Sequence, residues 1–179
     1  MKAHNPAEEP VQIVDRQNRP VEVVPRHIMR QRRLIHRASY ILVFNRAGEL
    51  FVQKRTMGKD IYPGYLDVAA GGVVLAGESY EDAAARELAE ELGVRGVELR
   101  FLFDQYYEDA DNRVWGRVFS CIHGGPFILQ EEEVESGRFM SLEDLRKLSR
   151  SRPVTPDGLM LLDRLSARES SGGHFPRSR

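Results

Sequence analysis

Residues 71–94 read GGVVLAGESYEDAAARELAEELGV, and the crowding of acids inside this stretch decides how the chain is understood. Ser79 can cap a helix, Asp82 sits at the return position of a capping box, and Gly93 supplies a stop. A helix is therefore expected from Ser79 to Leu92. At 100° per residue, Glu87, Glu90 and Glu91 stand at i, i+3 and i+4 and share one stripe of the helix, about 100° wide. Ala84, Ala85, Leu88 and Leu92 fall on the adjoining side and can face a core. Each i,i+4 pair of like charges costs a few tenths of a kcal/mol (~0.2–0.5) on an exposed helix, and more when buried. A divalent cation reverses that sign, and hard oxygen ligands suit Mg2+ or Mn2+, which also take phosphate oxygens. Arg86 lies four residues from both Asp82 and Glu90 and could hold a carboxylate in place. The Gly71-Gly72 pair ends a short strand, lets the backbone approach closely, and offers the Gly71 carbonyl as a further ligand. The competing reading is a solvated acidic face.

The spacing argues against that competitor. Gly72, Glu78, Arg86, Glu87, Leu88, Glu90, Glu91, Gly93 and Val94 fit G-x5-E-x7-R-E-U-x-E-E-x-G-U, with U aliphatic. At average residue usage a chance match in a chain of this length is on the order of 10⁻⁸ to 10⁻⁷. The pattern is the Nudix box, and from Arg37 to Leu165 the sequence resembles a Nudix hydrolase. The resemblance implies an α/β fold, an α/β/α sandwich with a mixed β-sheet, in which the box forms loop–helix–loop. It implies cleavage of a diphosphate bond in a nucleoside diphosphate derivative, by attack of water on phosphorus. It further implies that Glu87, Glu90 and Glu91, with the carbonyl of Gly71, hold the metals, while Glu78 and Arg86 brace the loop and helix. One carboxylate must accept the proton of the water. Glu87 is the first candidate, and the loop acids Glu131, Glu132 and Glu133 are the others.

A narrower resemblance covers the front of the chain. His36-Arg37-Ala38, Gln53-Lys54-Arg55, Lys59 and Pro63-Gly64 follow the order found in type I isopentenyl-diphosphate isomerases, which share the fold. There an Arg and a Lys four apart grip the diphosphate, matched by Arg55 and Lys59, and His36 matches one metal-binding histidine. The strand cysteine and the second metal histidine of those isomerases have no counterpart here. Isomerase activity and a non-catalytic nucleotide-sensing module are the alternatives. Arg55 and Lys59 also fit solvent-facing loop charges, and His36 fits a core histidine. Arg26, Arg30, Arg32, Arg33 and Arg37 form a basic stretch that reads as a solvated face or as a lure for an anionic substrate. Tyr106, Tyr107 and Trp115 fit strand packing or stacking on a base.

Composition bounds the remainder. The chain has 179 residues, 26 Lys+Arg against 27 Asp+Glu, and a net charge of −1, which argues against a nucleic-acid binder. The longest uncharged apolar run, Val68–Gly77, is too short and too rich in glycine to span a membrane. The start from Met1 to Pro10 lacks the apolar core of a signal peptide. The single cysteine, Cys121, allows no internal disulfide and reads as a buried strand residue. A small-molecule diphosphate substrate and a cytoplasmic home follow as expectations. Residues 1–35 are expected to form a short N-terminal β-hairpin and a weak helix on the core, residues 36–166 the Nudix domain, and residues 167–179 a mobile tail. The hairpin offers an edge for a homodimer. Strands are expected at Ala38–Asn45, buried on both faces, then Leu50–Lys54, Leu66–Ala69, Glu98–Tyr107, Arg113–His123 and Glu135–Met140. Short helices are expected from Ser141 and from Thr155 to about Leu165.

Overall fold

The computed structural model describes residues 5–170, and side chains as far as residue 167. In chain order its elements are β1 (Pro10–Val14), β2 (Pro20–Pro25), α1 (Arg26–Gln31), β3 (His36–Phe44), β4 (Leu50–Arg55), β5 (Leu66–Asp67), β6 (Ala70–Val73), α2 (Tyr80–Leu92), β7 (Arg100–Glu108), β8 (Arg113–Ile122), β9 (Val134–Met140), α3 (Leu142–Leu148) and α4 (Pro156–Ser170). The first four residues, part of the stretch read for a signal peptide, and residues 171–179 of the expected tail lie outside the described residues.

β3 organises the sheet. It runs parallel to β8 from His36↔Val114 to Phe44↔Ile122, and antiparallel to β6 and to β4. β8 carries β7 on its other side, and β4 carries β9 and β5, so the sheet is mixed. Side chains alternate across a strand, and here both sets are apolar. Ile41 and Val43 face a layer with Ala84, Leu88 and Leu92 of α2, together with Phe119 and Cys121 of β8. Leu42 and Phe44 face the opposite layer, with Leu145 of α3 and Leu161, Leu162 and Leu165 of α4. Helices on both sides of one sheet make the α/β/α sandwich. The hairpin and α1 form a third cluster, in which Val11, Ile13, Val24 and Met29 pack with Val73 of β6.

Two elements depart from the sequence reading. The Gly71-Gly72 pair does not end a strand but forms the middle of β6, where Gly71 faces Tyr40 and Gly72 faces Ser39. A Cβ at Gly71 would collide with the Ser39 carbonyl, and its φ of +143° is one that glycine alone adopts easily. Pairing with β3 therefore overrides the breaker signal. The last helix passes Leu165 and reaches Ser170, because nothing after Leu165 interrupts the backbone ladder.

Candidate active site

The α2 helix is built as its sequence requires. The Ser79 hydroxyl accepts the Asp82 amide at 3.0 Å, and Gly93 takes a left-handed φ of +68° at the C-cap. The fold then separates the three acids of the stripe by depth. Glu91 is 1% exposed and Glu87 8%, whereas half of the Glu90 side chain meets solvent. Arg86 gathers the outer carboxylates. Its Nε and Nη2 donate to Glu78 Oε1 and Oε2 at 2.8 and 3.0 Å, and its Nη1 donates to Glu87 Oε1 at 2.7 Å and Glu90 Oε2 at 3.2 Å. Glu78 also accepts the Leu75 amide, at 3.0 Å, so the pair ties the loop ahead of α2 to the helix. Burial works against ionisation of Glu78, but the Arg86 and Leu75 hydrogen bonds outweigh it and hold its carboxyl below the ordinary range. Burial instead pushes Glu87 and Glu91 upward, against the pull of Arg86 on the first and Lys59 on the second.

Glu91 sits where helix, strand and loop meet. Its Oε2 accepts the Gly71 amide at 3.0 Å and the Gln53 side-chain amide at 3.3 Å, and its Oε1 lies 3.6 Å from Lys59 Nζ. Lys59 also donates to Glu133, from the loop before β9, and so stands between two carboxylates. Burial raises Glu133, but Lys59 more than offsets this and its carboxyl lies below the ordinary range. Of the three loop acids, Glu131 and Glu132 are exposed and Glu133 alone enters this cluster.

Beside these groups lies a cavity of about 890 Å³. His36 lines it and is 2% exposed, with Nδ1 3.1 Å from the Leu34 carbonyl. That carbonyl accepts, so Nδ1 carries the proton and Nε2 remains an acceptor. Burial and the nearby Arg30 push its pKa down to about 3, which keeps the ring neutral. Arg55 also lines the cavity, but its guanidinium has protein partners: Nη1 meets Asp67 Oδ2 at 2.9 Å, and Nε and Nη2 donate to the Ile61 carbonyl. Arg55 is therefore no solvent-facing loop charge: it holds the 56–65 loop from the cavity wall.

The sequence reading missed a second polar network in the cavity wall. The Tyr40 hydroxyl donates to Asp157 Oδ2 at 2.8 Å across 117 positions of sequence. Burial and the neighbouring Asp67 carboxylate raise Asp157. Tyr62 of the loop donates to Asp109 in the β7–β8 turn, which also accepts Tyr107 at 2.8 Å. No local pattern joins residues so far apart, so only the folded chain could reveal them. The aromatic candidates lie elsewhere. Tyr106 and Trp115 rest against each other at 5.4 Å, and neither they nor Tyr107 lines the cavity. Cys121 is buried among the α2 contacts, away from the cavity, with its thiol pushed up to about 12 by burial. It cannot act as the isomerase thiol.

Among the described residues no three carboxylate, imidazole or thiol groups converge closely enough to form a metal cage by themselves. The donor chemistry nevertheless fits a hard divalent cation. Glu87, Glu90, Glu91 and Glu133 offer only oxygens, and the positive charges among them come from Arg86 and Lys59. At Gly72 a Cβ would fall 2.5 Å from Glu87 Oε1, so the missing side chain keeps room beside that carboxylate. The Lys59 ammonium, shared by Glu91 and Glu133, marks a place already shaped for a cation.

A model of the NUDIX domain matches residues 34–158. An uncharacterized Nudix hydrolase of Pseudomonas aeruginosa, PA4841, is 49% identical over 149 residues, spanning 83% of this chain and 88% of that protein. The uncharacterized Nudix hydrolase YfcD of Escherichia coli K12 is 44% identical over 152 residues, 85% of this chain and 83% of that protein. Among solved structures, DR0079 of Deinococcus radiodurans superposes with a TM-score of 0.77 at 25% identity, covering 87% of this chain and 98% of that one. A MutT protein of Methanosarcina mazei superposes at 0.64 with 23% identity, over 76% of this chain and 95% of its own, a likeness of fold. No described helix is long and apolar enough to cross a membrane.

Proposed function

Because this chain belongs to the Nudix family of hydrolases, we propose that it cleaves the diphosphate bond of a nucleoside diphosphate derivative with the help of Mg2+ or Mn2+. The observation that carries this reading is the buried carboxyl group of Glu91. It is held by the Gly71 amide and grouped with Glu87 and Glu133 beside a cavity large enough for a nucleotide. In this proposal Glu87, Glu90 and Glu91, with the Gly71 carbonyl, hold the cation. When bound, the cation supplies charge neutralisation and polarisation of the phosphoryl oxygens. Arg86 and Glu78 keep the helix carboxylates oriented. Lys59 turns from Glu91 and Glu133 to the substrate phosphate, which releases Glu133. A carboxylate freed in this way accepts the proton of the attacking water, and Glu133 takes that role because Arg86 and the cation engage Glu87. His36, neutral, orients the substrate from the cavity wall.

The proposed setting is the cytoplasm, where a lone buried thiol stays reduced. Homodimerisation is proposed through the edge strand β2, whose Val21 and Val23 are 63% and 54% exposed, and sedimentation equilibrium tests it. The hydrolysis reading is tested on a panel of nucleoside diphosphates, nucleotide sugars, dinucleotides and coenzyme A, with products identified by mass. Expected are cleavage between the two phosphorus atoms, its abolition by EDTA, and a fall in kcat of about 10²–10³ in Glu90→Gln and Glu91→Gln with the fold retained. Unchanged turnover in both variants would overturn the assignment. Tight nucleotide binding without any cleavage would instead favour a sensing module.

A further inference from the structure

The register of β3 separates two ends of the cavity. Tyr40 stands opposite Gly71, whose amide Glu91 holds, whereas His36 stands opposite Val114. At ~3.3 Å per residue the two positions lie roughly 13 Å apart along the strand. The wall at the His36 end includes Arg30 of α1, Asn112 ahead of β8, and the aliphatic Ala38, Val73 and Val114. Arg30 Nη1 donates to Asn112 Oδ1 at 3.4 Å, and its charge acts on the His36 ring, so these three polar side chains form one group.

Their unused hydrogen-bonding atoms define what can bind. The Leu34 carbonyl takes the Nδ1 proton of His36, which leaves Nε2 as an acceptor. Among the described residues Nε2 meets no donor, and it is not sealed in protein as the Nε–H groups of Arg26 and Arg30 are. Arg30 Nη2 and Asn112 Nδ2 are donors without a partner among the same residues, and they too are open. The charges acting on the ring, those of Arg30 and Arg26, are both positive and oppose a metal cation at Nε2. A phosphate oxygen offers only lone pairs, so Nε2 repels it as well. A hydroxyl suits the group: it gives its proton to Nε2 and takes one from Arg30 or Asn112, and two neighbouring hydroxyls use all three atoms. The edge of a base also carries donors and acceptors, but the aliphatic wall here gives a base no ring to stack on.

We propose that His36 Nε2 accepts a hydrogen bond from a ribose hydroxyl of the substrate, with Arg30 and Asn112 donating to the same diol. This rests on the diphosphate being held at the carboxylate end of the cavity, and it narrows the substrate to ribonucleotide derivatives over their deoxy counterparts. His36 is thus a specificity residue that lies outside the box.

The test reads binding and needs no turnover. The α,β-methylene analogues of ADP, GDP, CDP and UDP, and the 2′,3′-dideoxy form of each, are titrated by calorimetry in Mg2+. In the parent at least one ribose form should bind about tenfold more tightly than its dideoxy form, the ordinary worth of one or two hydrogen bonds. That ratio should fall to about one in His36→Leu and be largely restored in His36→Gln, whose amide oxygen can stand in for Nε2. Because both ligands are compared on the same protein, a general loss of stability does not mimic the effect. A readout that needs no variant is the nitrogen resonance of His36 Nε2, which should move with the ribose form and stay in place with the dideoxy form. The proposal is overturned if the parent binds both forms equally or binds none of the eight, if the ratio survives in His36→Leu, or if the resonance does not move. It is also overturned if His36→Leu loses discrimination among bases instead, which would put a base edge at His36. Equal affinities for the two forms leave the hydrolysis reading standing. Discrimination at His36 without cleavage of any natural diphosphate would sink that reading and leave this one intact.

Discussion

Gly72 and Lys59 show how single residues set the working room of the site. Replacing Gly72 by Ala places a methyl group 2.5 Å from Glu87 Oε1, so the carboxylate must rotate away from where it is held. The expected outcome for Gly72→Ala is a fall in kcat of about tenfold or more with a thermal midpoint close to the parent's, read from steady-state kinetics and calorimetry. Lys59→Met should act in the opposite sense on the two states of the protein. Without its ammonium, the half-buried Glu133 carboxylate loses its ion-pair partner, so the variant in EDTA should melt below the parent. Adding Mg2+ should then raise its midpoint by more than it raises the parent's. Equal gains in the two proteins would mean that the lysine and the cation do not share a place.

At the scale of the element, α2 carries the pH dependence. Burial raises Glu91 from 4.5 to about 8, so the folded chain binds that proton more tightly than the unfolded chain. The contribution of Glu91 is complete below about pH 4.5 and is lost as pH rises through 8. Glu78 works in reverse. Its carboxyl lies below the ordinary value in the fold, so its support is present at neutral pH and disappears on acidification. In EDTA the thermal midpoint should therefore decline between about pH 5 and 9, with a shallower decline in Glu91→Gln and in the parent saturated with Mg2+. An identical decline in the variant would remove Glu91 as its source. Much of α2 was legible in the sequence, because cap, stripe and stop all lie within 15 residues and obey local rules. What surrounds it was not. Lys59 meets Glu133 across 74 positions because β4 pairs with β9, and Tyr40 of β3 meets Asp157 across 117, encounters that no local pattern encodes. Gly71-Gly72 misled as a strand ending because a lone segment of glycines is a breaker, whereas a segment pressed against another backbone needs them.

For the whole molecule, β3 joins the two halves of the core. Leu42 and Phe44 look toward α4, and Ile41 and Val43 toward α2, so damage under α4 should reach the functional side. Leu165 is fully buried, and Leu165→Ala should cost about 2–5 kcal/mol, read by urea denaturation as one cooperative transition common to fluorescence and circular dichroism. Two separated transitions would show that the layers melt independently. The shared strand also limits how this chain can vary. One residue inserted between His36 and Phe44 would turn every later side chain of the strand to the opposite face and break every later match in its nine-residue register with β8. Length can therefore change in the turn at 45–49, as it commonly does in surface connections, while the wall between the two layers admits exchange of side chains and no change of count.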